Sequence, residues 1–162
     1  LLTGVLSAGE SKAAVPVVDP SGAPKVFTAA EVVGVEAGKE RFLLAQQKIN
    51  ELADNYDEIA KTGGDGIRRY LGTVGTTSPL YGIGKVMKEL QEEASDIVEY
   101  TETMSDFDIS LRSADTAVYS AIFVEFSSAK TKPEKFFKDA RFEIGRMQVY
   151  MDIMANELGL KV

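Results

Sequence analysis

The sequence predicts an all-α protein, an up-down-up-down four-helix bundle preceded by an extended N-terminal arm. Between residues 39 and 158, apolar residues recur three and four positions apart, which is the spacing of amphipathic helices. The predicted helices are about 20–27 residues long and most of their links are short, so each helix turns back alongside its predecessor. We therefore expect an arm at residues 1–27 and a bundle at residues 28–162.

The arm differs in composition from the rest of the chain. Residues 1–26 contain Pro16, Pro20 and Pro24 among glycines and small residues, and they show no helical period. Fully extended, such a segment reaches on the order of 80 Å, at about 3.3 Å per residue. We expect it to lie on its own bundle or on a partner. The chain begins at Leu1 without an initiator methionine, which favours removal of a targeting segment.

The first predicted helix is followed by a glycine-rich link. Residues 28–31 (TAAE) have the form of a capping box, so a helix is able to begin there. The stronger apolar stripe runs over residues 42–59 and stops at Gly63 and Gly64. In the link we expect a flexible connector, with an apolar cluster at residues 67–74 that suffices for two or three helical turns.

Three further helices complete the predicted bundle. The second begins at Ser78 and Pro79, as N-cap and first helical residue, and ends near residues 105–106. The third covers residues 107–129 and is apolar around much of its circumference, so we expect it to be the most buried. The fourth starts with a capping box at residues 131–134 (TKPE) and stops at Gly159.

The composition excludes several classes of function. The chain has no histidine, cysteine or tryptophan, so the usual ligands of haem, zinc, copper and iron–sulfur clusters are missing. We expect binding or scaffolding and not catalysis, with no directly bound cofactor and no small-molecule substrate. The formal charge of −7 argues against nucleic-acid binding. Pro79 and Val86 occupy the positions where a phosphate-binding loop requires Gly and Ser or Thr.

The second predicted helix is strongly acidic. Its carboxylates lie three or four residues apart in places, which sets some of them on one face. No calcium-loop pattern accompanies them, so a calcium site is disfavoured and a solvated helix face is expected. The residues are Glu89, Glu92, Glu93, Asp96, Glu99 and Glu102. No apolar run approaches the roughly 20 residues of a membrane helix, so the sequence predicts a soluble protein.

Two segments are candidate sites for docking a partner protein. One is the arm, and the other is a basic patch at the turn before the fourth helix. Cations at a helix N-terminus oppose the macrodipole by a few tenths of a kcal/mol each, which favours a role in docking. The arm candidates are Val15, Pro16, Val17, Val18, Pro20 and Pro24. The patch candidates are Lys130, Lys132, Lys135, Lys138 and Arg141.

Three short runs resemble a known family. The last helix is entered through residues 133–137 (PEKFF) and closed by residues 154–159 (MANELG), and the third begins with residues 107–112 (FDISLR). Together with the arm, these runs resemble the PsbQ family of extrinsic photosystem II subunits, the oxygen-evolving enhancer protein 3 type, and particularly the PsbQ-prime form of red-lineage algae. The resemblance covers roughly residues 45–162.

The resemblance implies a non-catalytic protein of the chloroplast thylakoid lumen, peripheral on the lumenal face of the membrane. Such a protein docks on the photosystem II core, supports calcium and chloride retention by the oxygen-evolving complex, and helps other extrinsic subunits to bind. An alternative from another class is a helical bundle that holds a small apolar ligand or pigment. The aromatic and methionine content of the third and fourth helices motivates that alternative.

Overall fold

The computed structural model describes residues 18, 21–27, 34–128 and 130–161. Over these residues the protein is all-α, with β-structure limited to an isolated bridge between Val18 and Pro24. A 3-10 turn, Gln91–Glu93, lies between the fourth and fifth helices. None of the helices described is long and apolar enough to cross a bilayer. The helices are α1 Val35–Asp54, α2 Tyr56–Lys61, α3 Gly64–Leu71, α4 Ile83–Glu89, α5 Ile97–Glu125 and α6 Pro133–Glu157.

The first predicted helix is present but is divided at Asn55 into α1 and α2. Its apolar stripe is buried as predicted, with Phe42 and Ile49 fully inside. At the break, the Asn55 side-chain amide donates to the carbonyl of Glu51 at 2.9 Å, and the Asn55 backbone N–H donates to the same carbonyl at 3.1 Å. A short amide side chain that competes for backbone carbonyls favours a helix end. The capping box at residues 28–31 lies outside the described residues, and α1 begins at Val35.

The glycine-rich link is a packed part of the fold and not the flexible connector expected from its composition. The apolar cluster at its start forms α3, as predicted. Gly72 then adopts a left-handed φ of 74°, and a Cβ atom built on it would lie 2.5 Å from the backbone nitrogen of Tyr81. Only glycine tolerates both this backbone conformation and this approach. Further along, Ser78 and Leu80 are buried.

The predicted boundary between the second and third helices is wrong. The chain leaves the helical path after Glu89, passes through the 3-10 turn, and re-enters a helix at Ile97. Asp96 caps this new start, because its carboxylate accepts hydrogen bonds from the N–H groups of Val98 at 2.9 Å and Glu99 at 3.0 Å. No break occurs at residues 105–106, so the predicted end of one helix lies inside the 29-residue α5.

The predicted start of the second helix is also displaced. Ser78 and Pro79 precede a turn, and α4 begins only at Ile83 with Gly82 as its N-cap. The Ser78 hydroxyl accepts a hydrogen bond from the N–H of Leu80 at 3.2 Å and donates to the carbonyl of Tyr70 at 2.6 Å. It therefore caps a single turn and ties that turn to α3.

The last helix ends where predicted, but its N-cap is one residue later than the capping box implies. Pro133 occupies the first helical position, which makes Lys132 the N-cap and leaves Thr131 one residue too early to cap. At the other end, the N–H of Leu160 bonds the carbonyl of Ala155 at 2.9 Å and the N–H of Gly159 bonds that of Asn156 at 3.0 Å. This is the Schellman arrangement, and the left-handed φ of 66° at Gly159 permits it.

Helices α5 and α6 form an antiparallel hairpin on which the rest of the described chain packs. The N–H of Ser95, just before α5, donates to the backbone carbonyl of Glu157 at the end of α6, at 2.9 Å. The Glu157 carboxylate also accepts hydrogen bonds from the Ser95 hydroxyl at 2.5 Å and the Asp96 N–H at 2.7 Å. These contacts place a negative charge at the N-terminus of α5, where the helix dipole favours it.

The remaining helices lie against this hairpin in defined directions. Helix α1 runs antiparallel to α6, since Gln46 contacts Asp152 and Asn50 contacts Gln148, each at 2.8 Å. Helix α3 runs along the C-terminal half of α5, where Arg68 pairs with Asp115 at 2.9 Å. The core between these helices is continuous and includes residues from all six.

We predict opposite effects for two glycine-to-alanine substitutions. Gly72→Ala should lower the free energy of unfolding by about 2 kcal/mol or more, because of the left-handed φ and the backbone clash. Gly145→Ala, the matched control inside α6 with open space around it, should raise it by about 0.5–1 kcal/mol. Urea unfolding followed by circular dichroism measures both. Equal effects of the two substitutions would contradict the packing described for Gly72.

Candidate partner-docking surface

The described end of the predicted arm lies on the protein's own helices. Phe27 is 2% exposed, and its backbone N–H donates to the carbonyl of Thr76 at 2.8 Å. Its ring lies under the guanidinium of Arg41, 4.6 Å from the ring centroid, and the Lys25 ammonium is 5.4 Å from the same centroid. The arm is therefore anchored at its end by one aromatic side chain.

Arg41 connects the Phe27 anchor to the glycine-rich segment between α3 and α4. It is 6% exposed, its Nε donates to the carbonyl of Pro79 at 3.1 Å, and its Nη2 donates to the carbonyl of Tyr81. The sequence analysis did not single out Arg41. The available signal was its position, because it lies four residues before Ala45 on the buried stripe of α1.

The arm residues proposed for docking divide into two groups. Val18 and Pro24 form the isolated bridge and are exposed, with Val18 52% accessible. The structure thus presents these two to solvent just before the Phe27 anchor. The other four candidates, Val15, Pro16, Val17 and Pro20, lie outside the described residues.

The predicted basic patch is split between two sides of α6. Lys138 and Arg141 face α2, where Lys61 joins them. Lys135 lies on the other side, paired with Asp139 at 2.7 Å and placed 5.3 Å from the centroid of the Phe136 ring. Lys130 and Lys132 are exposed in the turn between α5 and α6. We call this end of the molecule the basic end; its cations are Lys61, Lys130, Lys132, Lys135, Lys138 and Arg141.

A groove of about 500 Å³ lies between α2 and α6 at the basic end. Arg141 donates to the Asp57 carboxylate at 2.9 Å and lies 5.4 Å from the centroid of the Tyr56 ring. The Tyr56 hydroxyl in turn donates to the carbonyl of Phe137 at 2.5 Å, across the groove floor. Lys138 lines the same groove and makes no ion pair with any described residue. The α2–α6 groove is therefore lined by three cations, of which Arg141 and Lys61 are paired with Asp57 and Glu58, and Glu134 also lines it.

The opposite end of the molecule is acidic. The six carboxylates predicted to lie on one helix, some of them on one face, are instead spread over the end of α4, the 3-10 turn and the start of α5, and all six are exposed. The described residues contain no group of three or more carboxylates arranged to hold a metal ion. We call this region the acidic end; it comprises Glu89, Glu92, Glu93, Asp96, Glu99 and Glu102. Lys85 and Lys88 lie beside this acidic end, and at the basic end Lys61, Lys135 and Arg141 pair with Glu58, Asp139 and Asp57, so the two ends differ in their excess charge and not in having a single sign.

The third predicted helix is not buried all round, contrary to expectation. Tyr119 is 57% exposed, Phe123 is 66% exposed, and Phe126, just beyond the end of α5, is 87% exposed. An open groove of about 540 Å³ lies between α5 and α6, with Phe136 and Phe142 on its α6 side. Helix α5 thus has a solvent-facing aromatic side that sequence periodicity assigned to the core.

All the shifted pKa values among the described residues are raised. Burial raises the pKa of Tyr56 and of Tyr100, and burial together with the nearby Glu51 carboxylate raises the pKa of Tyr70 to about 12. Hydrogen bonds to Asp115, Tyr150 and Glu58 respectively raise the pKa values of Arg68, Arg146 and Lys61. Each of these groups keeps its ordinary protonation state at neutral pH.

Comparison with known proteins finds no match to this chain among protein-family models, curated proteins or solved structures. The function therefore has to be argued from the residues and their arrangement.

We predict that the protein loses stability above pH about 10, where tyrosines ionise in the unfolded chain. A tyrosine with a raised folded-state pKa keeps its proton while the unfolded chain loses it. The free energy of unfolding is then unaffected below pH about 10 and falls as the pH rises toward and through about 12. Spectrophotometric titration of tyrosinate, with urea unfolding at each pH, measures this.

The control for this titration is the same protein in concentrated urea, where all six tyrosines should titrate together near pH 10. In the Tyr100→Phe variant, the number of tyrosines that titrate well above pH 10 in the folded protein should fall by one. Reversible ionisation of all six below pH about 11 in the folded protein would contradict the burial of Tyr56 and Tyr100.

Proposed function

We propose that this chain is a PsbQ-like extrinsic subunit of photosystem II, folded as a four-helix bundle of up-down-up-down topology. In this proposal α1 and α2 together form the first helix of the bundle, and α3 and α4 together form the second. Both of these helices are interrupted, whereas α5 and α6 are the third and fourth helices. The antiparallel contacts of α1 with α6, of α3 with α5 and of α5 with α6 support that topology. The Phe27 anchor supports an arm that leaves the bundle at a fixed point.

The observation that carries the function is the separation of charge in a net-acidic protein. Six exposed carboxylates occupy one end, and the six cations of the basic end, three of them paired with carboxylates, occupy the other. Such a molecule approaches an acidic surface with its basic end first, since electrostatic complementarity steers encounter and orientation. The α2–α6 groove then supplies the contact, through Lys61, Lys138 and Arg141. The exposed Val18 and Pro24 precede the Phe27 anchor, which lies on Arg41 in the N-terminal half of α1 and away from α2, so in this proposal the arm makes a separate contact.

In this proposal the protein is not an enzyme and binds no cofactor, metal or nucleic acid of its own. It lies in the thylakoid lumen, peripheral on the membrane, and contacts the photosystem II core and other extrinsic subunits. By covering the oxygen-evolving complex it helps to retain calcium and chloride. The proposed partner rests on the family resemblance of residues 107–112, 133–137 and 154–159. The proposed mode of docking rests on the separation of charge.

A second candidate function rests on the open groove between α5 and α6. Its volume of about 540 Å³ and its Phe136 and Phe142 side chains fit a small apolar ligand or pigment. Absorbance of the purified native protein beyond that of tyrosine, or a native mass above the 17.6 kDa of the chain, would support this candidate. A clean spectrum and the bare chain mass would count against it.

We predict that charge reversal at the basic end weakens docking. The protein should co-sediment with oxygen-evolving thylakoid membranes. A wash in about 1 M salt should release the protein and reduce oxygen evolution, and adding the protein back should restore that activity. Lys61→Glu with Lys138→Glu should weaken rebinding about tenfold or more, because both cations line the α2–α6 groove.

Lys85→Glu with Lys88→Glu is the matched control for this test. It makes the same change in net charge on exposed residues of α4, beside the acidic end, and should alter rebinding less than about twofold. Equal loss in both variants would mean that net charge alone decides binding. Absence of the wild-type protein from the membranes at low salt would overturn the proposed function.

We predict that removal of residues 1–24 abolishes assembly but preserves the fold. The deletion spares Lys25 and the buried Phe27, so the circular-dichroism spectrum and Tm should stay nearly unchanged. Phe27→Ala in the full chain should lower the free energy of unfolding by about 3 kcal/mol. If the truncated protein rebinds with unchanged affinity, the arm is not part of the docking surface.

A further inference from the structure

The exposed apolar side chains of the described residues are concentrated on the α5–α6 hairpin. Of the ten large ones, eight belong to α5, to Phe126 just after it, or to α6, and none belongs to α1–α4. The other two, Val18 and Val26, precede α1. Exposed apolar side chains gathered on one face indicate an interaction surface.

Four of these side chains, Ile109, Phe123, Phe142 and Val149, lie on two rows of residues with seven-residue spacing that also contain polar residues. On α5 the row is Glu102, Ile109, Thr116 and Phe123, and on α6 it is Lys135, Phe142 and Val149. Residues seven apart stay on one face of a helix with a drift of about 20° per step. Thr116 and Phe142 line the same groove between the helices, so both rows lie on the same side of the hairpin. We call this side the outer face.

The outer face is large enough for a stable protein–protein contact. Helix α5 has 29 residues and is therefore roughly 43 Å long. Two helices packed about 10 Å apart present a face about 20 Å wide, hence on the order of 800 Å². That is about the area that each partner contributes to a standard interface.

The charges on this face are complementary to those of a second copy. Glu99 and Glu102 lie at its acidic end, while Lys132 and Lys135 lie at its basic end. We propose that two copies of this chain pair through their outer faces, antiparallel, so that the acidic end of each meets the basic end of the other. An interface of this kind is closed by a two-fold axis. The parallel alternative would set like charges together, which is unfavourable.

The apolar residues also fit the antiparallel arrangement. The midpoint of α5 is Leu111, and Val98 and Phe123 lie about 20 Å and about 18 Å from it on opposite sides. Antiparallel pairing therefore brings Val98 of one copy near Phe123 of the other, and Ile109 lies near the axis. Each copy carries a net charge of −7, but at about 0.15 M salt the Debye length of about 8 Å screens that repulsion and leaves close contacts effective.

Light scattering of purified protein after size-exclusion chromatography tests the pairing. At about 100 µM protein and about 0.15 M salt, the mass should approach about 35 kDa, twice that of one chain. Val149→Asp and Phe142→Asp should each raise the dissociation constant about tenfold or more. Val26→Asp is the matched control, since Val26 and Val149 are 53% and 55% exposed, and it should leave the mass unchanged.

A charge exchange tests the antiparallel arrangement itself. Glu99→Lys with Glu102→Lys in one variant, and Lys132→Glu with Lys135→Glu in another, should each weaken self-association. An equimolar mixture should restore a dimer of about 35 kDa, because both ends of the mixed pair are then complementary. Circular dichroism checks that each variant is folded.

A monomeric wild-type protein, or a dimer insensitive to Val149→Asp and Phe142→Asp, would overturn the proposed pairing. Charge variants that each self-associate as tightly as the wild type would overturn the antiparallel arrangement, because a parallel pair already sets like charges together. A mixture of the two variants that stays monomeric would overturn the charge pairing in either orientation. These measurements use purified protein without membranes, so their failure is distinguishable from failure of the docking function.

Discussion

The antiparallel packing of α5 against α6 is the constraint on which the rest of the fold depends. The side of α5 that faces α6 carries Ser113, Ala117 and Ser120, whose small side chains line the groove between the two helices. The Glu157 contacts with Ser95 then fix the register of the pair at one end. Helices α1 and α2 pack on α6, and α3 packs on α5. The hairpin therefore positions α1, α2 and α3, while α4 and the Phe27 anchor pack mainly on α1.

The sequence predicted those features of the fold that depend on local spacing. The buried stripe of α1, the short α3 and the stop at Gly159 all follow from periodicity and glycine positions. The start of α5 at Ile97 was missed because a tertiary contact supports it. Asp96 caps the helix while its own N–H is held by Glu157, which is 61 residues away in the chain. Such a partner is invisible to a window of neighbouring residues.

The candidate surfaces were predicted in part, and the reasons for the errors are physical. The lysines before and within α6 are exposed as a basic patch requires, but residues three apart differ by about 60° around a helix, so Lys135 and Lys138 turn toward different neighbours. The aromatic residues of α5 were assigned to the core because the helix is apolar around much of its circumference. Burial depends on how many helices surround it, and the described neighbours leave the side of Phe123 open.

The two proposed interactions use different sides of α6 but the same separation of charge. In the antiparallel pair, the carboxylates of one copy lie against Lys132 and Lys135 of the other and neutralise them, while the α2–α6 groove with Lys138 and Arg141 stays open. The two grooves of such a pair lie at opposite ends, so a flat acidic surface meets only one of them. We therefore expect a single chain to bind an acidic surface more tightly than a paired one, which makes pairing and docking competing states of the same charged bundle.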